Sequence, residues 1–563
     1  MASNVLSLRQ HKGKKGFLFC SLLILFSLLL TACGAGSASG SNNGSKGILT
    51  VGAQSAEVTQ AAFNPYNPQP NAGVLGLVYE TLYFSNVNDG SYKPWLATSY
   101  QWSDNNTTLT FQTRQGVKWN DGQSFSANDV AFTFNDMKKY VSSGADVQGV
   151  WQYLSSVTAS DDHTVVMKFS KAYPPEFWAI ASQVYMIPQH IFASVGDPTK
   201  YTPAKPVGTG PFVLKSSTSD LMKYDANPSY WQAGMLHVKE VRYPVYKDND
   251  TFKLVLPKGE IDWAGYFQSD LQTAYVQKDP SHNKYWMDPI NMFTLFVNQN
   301  KYPLNQVAVR QAISAALDRQ KLATQGEAGF TTPASTTGLV LPADNSYLPS
   351  AYANQSASAD PAKADQYLTA AGWTKGSDGI YHDKKGVRLS FVLRTVATYS
   401  DWEMMAQVIK QNLKDAGIEI KSFDEQTEAA YYPGRTDGKF DLMIGGMVSG
   451  PTPYYMYNNY LNSKNSAPAG LNFERWKGPQ TDQYLQQYAT TTDANVQKQA
   501  IQGLAKTYAE QLPTIPLVYA PAWFEYRSAN FTGWPDQSNP YAVGSPFTAP
   551  DNEVIILHLK PAA

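Results

Sequence analysis

Between residues 389 and 420 the chain reads LSFVLRTVATYSDWEMMAQVIKQNLKDAGIEI, and Tyr399, Asp401 and Trp402 set two aromatic rings and a carboxylate within four positions. An aromatic ring offers a flat apolar face with a polar edge, and a carboxylate accepts hydrogen bonds from hydroxyls or ammonium groups. That chemistry holds a ligand and breaks no bond. The motifs of covalent and metal catalysis, G-x-S-x-G, H-E-x-x-H and the phosphate-binding P-loop, are missing from the sequence, and its seven His are scattered without ligand spacing. No catalytic residue, metal or cofactor is therefore expected. A secreted glycoside hydrolase, a remote alternative, needs two carboxylates flanking one bond, and no acid pair with a recognisable motif presents itself.

The elements around this stretch position it. An apolar run at 389–393 predicts a strand, Ser400 and Glu403 have the spacing of a capping box, Gly417 closes the helix, and a second strand follows at 418–423. In open α/β sheets ligands sit beyond the carboxyl ends of strands, beside helix N-termini. Tyr399, Asp401 and Trp402 fall on that spot.

The N-terminus sets the compartment. Arg9, Lys12, Lys14 and Lys15 precede an apolar segment at 17–30 that is short for a membrane span and reads as a secretory signal. It ends in LTACG, which resembles a bacterial lipobox with Cys33 as the lipidated residue, and the Gly/Ser-rich segment 34–47 suits a flexible tether. The only other cysteine is Cys20, inside the signal, so the mature domain has no disulfide and no thiol ligand. Loss of residues 1–32 removes four bases and no acids and takes the formal charge from −1 to −5, so no nucleic-acid partner is expected. The remaining 531 of 563 residues exceed what one core supports. Aromatic residues make up 13% of the chain, more than a core alone calls for at every position.

Further along, VYETLY, PWLATSYQW and LTFQTRQGVKWNDGQSFSANDVAFTF follow one another, and within them W-N-D-G-Q-S-F-S-A-N-D-V spans 119–130. GTGPFVL at 208–214, NPSYW at 227–231, VRQAISAALDRQKL at 309–322 and AKADQYLTAAGW at 362–373 continue the order. Together these closely resemble the family 5 solute-binding proteins of bacterial ABC importers, over nearly the whole mature chain. Each string also has a local reading. Val309, Ile313, Ala316 and Leu317 make one apolar helix face with Arg310 and Arg319 left to its polar side, and Asp360-Pro361 opens the next helix. A last helix at 494–511 leads into an apolar strand at 515–520.

The resemblance implies an α/β protein with the two-lobed, large type II periplasmic-binding-protein-like fold and an extra subdomain in lobe I. Carried over, lobe I takes 48–297 and 517–563, with the insertion at 95–205, and lobe II takes 298–516. The crossings then fall near 293–298 and 515–519. Peptide-binding relatives hold the ligand's ammonium with an Asp in a segment that matches 440–451 here, where no acid lies between Asp441 and Pro451. The tail FTGWP…NPYA, the string GEIDWAGYF at 259–267 and the Tyr399–Trp402 loop look instead like members that bind β-linked oligosaccharides such as cellobiose or chitobiose. On that resemblance Tyr399, Trp263 and Trp523 are expected as stacking platforms, Asp401 as an acceptor for sugar hydroxyls with Trp402 beside it, and Asn298 as an amide lining the hinge face. Glu80, Trp119 and Trp534 are assigned to structure. The implied partners are an oligosaccharide, alternatively an oligopeptide, a membrane permease with its ATPases, and the membrane itself through Cys33; the receptor is expected as a monomer.

Overall fold

The structure is a computed structural model that describes residues 47–52, 62–67, 70–146, 148–246, 249–397, 399–468 and 470–562. The signal segment, Cys33 and the tether lie outside the described residues.

Two mixed sheets organise the chain. The first has seven strands, in the order Asn283–Tyr285, Glu525–Arg527, Trp263–Ala264, Ile48–Gly52, Glu240–Pro244, Leu221–Ala226 and Phe212–Ser217. Ile48–Gly52 runs parallel to both neighbours, with Leu49 and Val51 of one face buried and Ile48 and Thr50 of the other half-buried. The second has five strands, in the order Glu419–Gln426, Ser390–Val396, Leu442–Gly446, Asp288–Val297 and Thr514–Ala522. Ser390–Val396, the helix Ser400–Asp415 and Glu419–Gln426 form the expected strand–helix–strand unit, with the two strands parallel. A four-stranded antiparallel sheet, built from Ala97–Ser103, Thr108–Thr113, Thr164–Phe169 and Leu154–Ala159, lies within segment 95–205. Its apolar side chains join those of the seven-stranded sheet in one core, and the five-stranded sheet and its helices enclose another.

The chain changes sheets at residues other than those expected. Asp288–Val297 and Thr514–Ala522 pair antiparallel from Asp288 with Ala522 to Phe296 with Thr514, both inside the five-stranded sheet. The crossings therefore lie just before Asp288 and just after Ala522, where the Trp286 amide donates to the Phe524 carbonyl at 3.0 Å. Two long apolar runs lying side by side satisfy each other's backbone groups, and nothing local in either run marks where the partner sheet changes.

Local signals were realised unevenly. Ser126 and Asp129 close a capping box at the start of Ala127–Lys139, and Asp360 accepts from the Lys363 amide with Pro361 in the first turn. Ser400 does not cap. Tyr399 holds the N-cap position without a side-chain capping bond, and Ser400 is already helical. The helix expected across 309–322 breaks at Leu317, where Asp318 caps a new turn. Arg310 and Arg319 are buried rather than on a polar face. Arg310 donates to the Gln511 and Leu512 carbonyls at the end of helix Ala494–Gln511, and Arg319 to the Ser314 and Pro516 carbonyls. Glu80 is in the core, accepting from the indoles of Trp95 and Trp231 and the Tyr230 hydroxyl, and Trp119 is fully buried.

Candidate functional site

A cavity of about 480 Å³ opens where the chain enters strand Asp288–Val297 of the five-stranded sheet. Five segments distant in sequence wall it: Val87 and Asn88; Trp286 to Ile290 at the entry to the five-stranded sheet; Phe330 to Thr332 with Gly338 and Val340 to Asp344; Ser449, Gly450, Thr452 and Pro453 with Met456; and Gln537 with Pro540. Trp286 and Phe330 supply aromatic surface. Asp288, Asp344, Asn88, Ser449, Thr331, Thr332, Thr452 and Gln537 supply polar side chains, and no Lys, Arg or His is among the lining residues.

The wall is pinned to the strand Thr514–Ala522. The Tyr519 hydroxyl accepts from the Ser335 amide at 3.2 Å and the Leu341 amide at 3.1 Å, and donates to the Leu339 carbonyl at 3.1 Å. Thr331 Oγ1 donates to the Tyr519 carbonyl at 2.6 Å, and the Tyr519 amide to the Thr332 carbonyl. On the other side Ser449 Oγ donates to the Ile290 carbonyl at 2.7 Å. Loops fixed in this way present groups in a set geometry, which lowers the ordering cost of binding.

Both carboxyls are shifted towards the neutral form. Burial pushes Asp288 up to about 6, with the Asn88 amide pulling the other way, and its Oδ2 has no hydrogen-bond partner among the described residues. Burial pushes Asp344 up to about 6 against the Val340 amide, which donates to its Oδ2 at 2.8 Å. A desolvated acceptor that lacks a partner is a place where a ligand donor is held strongly.

None of the six residues expected to bind a ligand lines this cavity. Trp263 is no platform: it is 0% exposed, its indole donates to the Gly544 carbonyl at 2.7 Å, and Phe524 and Trp534 pack on it, because it starts a central strand of the seven-stranded sheet. Asn298 does not face the hinge. Its amide is spent on the Gly438 and Phe440 carbonyls, both at 3.0 Å, and its oxygen accepts from the Asn300 amide. Trp402 is core, packed against Phe293, Tyr399 and Tyr431. Tyr399 and Asp401 are partly exposed, away from the cavity wall. Asp401 faces another acid: Glu327 is 0% exposed, neither carboxylate oxygen has a hydrogen-bond partner among the described residues, and burial together with the Asp401 charge holds it well above the usual range. Trp523 comes nearest, half-buried, with its ring 5.8 Å from that of Phe330, which does line the cavity.

Segment 440–451, which matches the ammonium-holding segment of peptide-binding relatives, contributes Ser449 and Gly450 to the cavity lining. Asp441, at its start, pairs with Lys301 at 2.7 Å and accepts from the Val392 amide, so it is unavailable. The carboxyls in the cavity lining belong to Asp288 and Asp344. Sequence reading had one signal for Asp288, its position in front of a long apolar strand, and none for Asp344.

Comparison with known proteins agrees with this architecture. The description of the bacterial extracellular solute-binding proteins, family 5, matches residues 91–468. The nickel-binding periplasmic protein of Escherichia coli is 26% identical over 461 residues, covering 79% of this chain and 84% of its own length. The oligopeptide-binding protein AppA of Bacillus subtilis is 25% identical over 539 residues, covering 90% and 94%. Two crystal structures of a periplasmic oligopeptide-binding protein of an ABC transporter from Thermotoga maritima superpose over 92% of this chain and 99% of theirs. One has a TM-score of 0.84 at 25% identity, and the other, bound to mannohexaose, 0.77 at 26%. Matched over two thirds of its length and sharing the two-lobed periplasmic-binding-protein fold, the chain belongs to the family 5 extracellular solute-binding proteins of bacterial ABC importers.

Proposed function

We propose that the protein captures a neutral, hydroxyl-rich ligand, an oligosaccharide, in the 480 Å³ cavity and delivers it to a membrane permease driven by ATPases. The observation that carries this reading is the lining itself: two carboxylates, amides and hydroxyls beside Trp286 and Phe330, with no cation. Sugar C–H faces stack on aromatic rings while hydroxyls donate to carboxylates. A short zwitterionic peptide would leave its own carboxylate without a cationic partner, at a cost of several kcal/mol. The mannohexaose bound by the Thermotoga relative supports the same ligand class.

A second reading, a peptide receptor, draws on the same two carboxylates. Asp288 or Asp344 could take an ammonium, and relatives named for oligopeptide binding match most of the chain. Titration calorimetry at pH 7.5 with cello-, chito-, xylo- and manno-oligosaccharides against di- to pentapeptides separates the two. Micromolar affinity for a sugar with silent peptides is expected, and the reverse pattern overturns the choice.

Capture is proposed to proceed by closure of two lobes about the connections just before Asp288 and just after Ala522, at the ends of the paired strands Asp288–Val297 and Thr514–Ala522. The receptor acts as a monomer held outside the cell by a lipid on Cys33, and Cys33→Ala releases it from the membrane fraction if that anchoring is correct.

A further inference from the structure

Helix Pro453–Leu461 reads PYYMYNNYL. Thr452, Pro453 and Met456 belong to the cavity wall. Tyr454 and Tyr455 reach a different target, the connection that leaves strand Thr164–Phe169 of the four-stranded sheet. Tyr454 and Tyr173 meet hydroxyl to hydroxyl at 2.9 Å. Tyr455 donates to the Pro175 carbonyl at 2.8 Å, and its ring meets Trp178 edge to face at 4.7 Å.

Both partners are braced from behind. Tyr173 stacks on Tyr153 at 3.8 Å and 11°. On the opposite side Tyr454 stacks on Tyr488 at 4.4 Å and 11°, and the Tyr488 hydroxyl is bonded to Thr452 Oγ1 at 3.0 Å. A line of contacts therefore runs from the four-stranded sheet through Tyr173, Tyr454 and Tyr488 to a residue of the cavity wall. Stacking fixes the rings, so little side-chain entropy is lost when the two hydroxyls meet. The core assignment agrees: Tyr173, from the segment of the four-stranded sheet, packs against the core of the five-stranded sheet.

We propose that Tyr173 and Tyr454, with Tyr455 on Pro175, form a clasp that positions the two halves around the cavity and so sets ligand affinity without touching the ligand. This rests on the closure reading given above. The bonds join side chains and backbone from different halves, so they exist only when those halves are together. Each adds to the closed population, and the apparent affinity rises with that population. Their loss leaves every cavity-lining side chain in place.

Spin labels on Thr158→Cys and Lys464→Cys, both exposed positions, report the separation of the halves in the ligand-free protein. The double variant Tyr173→Phe/Tyr455→Phe, which keeps all the rings, is expected to lower the ratio of short to long distances about fivefold or more. Its melting temperature is expected to stay within about 2 °C of the parent's. Identical distance distributions in parent and variant overturn the clasp. This measurement needs no ligand, so it stands whether or not the sugar reading does. With cellopentaose as probe, the variant is expected to bind at least fivefold more weakly, with the loss in the dissociation rate. Unchanged cellopentaose affinity alongside a widened distance distribution overturns the link from clasp to affinity, whereas cellopentaose silent on the parent counts against the ligand class alone.

Discussion

Asp288→Asn is the substitution that reads the cavity's chemistry most directly. The side chain keeps its shape and one acceptor oxygen, and exchanges the charge and the other acceptor for an amide donor. In the ligand-free protein that charge is a burden: burial raises Asp288 to about 6 from 3.8, about two pKa units, or at most about 3 kcal/mol for a partly exposed group. The sign follows. A carboxyl raised on folding leaves stability fully present below the unfolded value and removes it as pH climbs from about 4 through 6. Ligand-free Asp288→Asn is thus expected to melt no lower than the parent at pH 7.5, and higher if nothing else moves. Binding runs the other way. A hydrogen bond to a charged acceptor contributes about 1.5–3 kcal/mol and a neutral one about 0.5–1.5, so a sugar hydroxyl is expected to lose about 1–1.5 kcal/mol, or about 5- to 12-fold in affinity. An ammonium is expected to lose about 3–5 kcal/mol, well over 100-fold, because a buried pair is broken on one side. Calorimetry on parent and variant at pH 5 and 7.5 measures both the size of the loss and its pH dependence: parental affinity is expected to weaken as Asp288 takes a proton below 6, and the variant to show a shallower slope. Affinity within twofold of the parent at both pH values refutes the assignment of Asp288 to the ligand.

Other substitutions test the placement of the remaining side chains. Asn298→Ala removes the donor to the Gly438 and Phe440 carbonyls and is expected to cost about 1–3 kcal/mol in denaturant unfolding while affinity holds. Trp263→Ala opens a hole in the seven-stranded sheet's core and is expected to cost about 3–5 kcal/mol, seen as a lowered urea midpoint. Glu327→Gln replaces a buried acid held above its usual range by burial and by Asp401. It is expected to raise the melting temperature at pH 8, where the parent must ionise this group or carry its proton, and to change it little at pH 4.

Much of the fold was legible because its signals are local. Apolar alternation, the Ser126–Asp129 box, Asp360-Pro361 and the strand–helix–strand run after residue 389 each depend on residues within a few positions of one another. The lost signals were those that a distant partner decides. Ser400 and Glu403 have capping-box spacing, yet the helix begins one residue earlier than a Ser cap requires. Arg310 and Arg319 look like surface charges until the carbonyl ends of other elements claim them.

By itself the sequence determined the family and the α/β class, because ordered motifs and hydrophobic periodicity survive without knowledge of contacts. Only the tertiary structure brought together the cavity proposed as the ligand site. A cavity walled by residues near 88, 288, 344, 450 and 537 has no footprint in any one stretch of chain, and burial, which raises the Asp288 carboxyl and turns Trp263 into core, is a property of what lies across the fold.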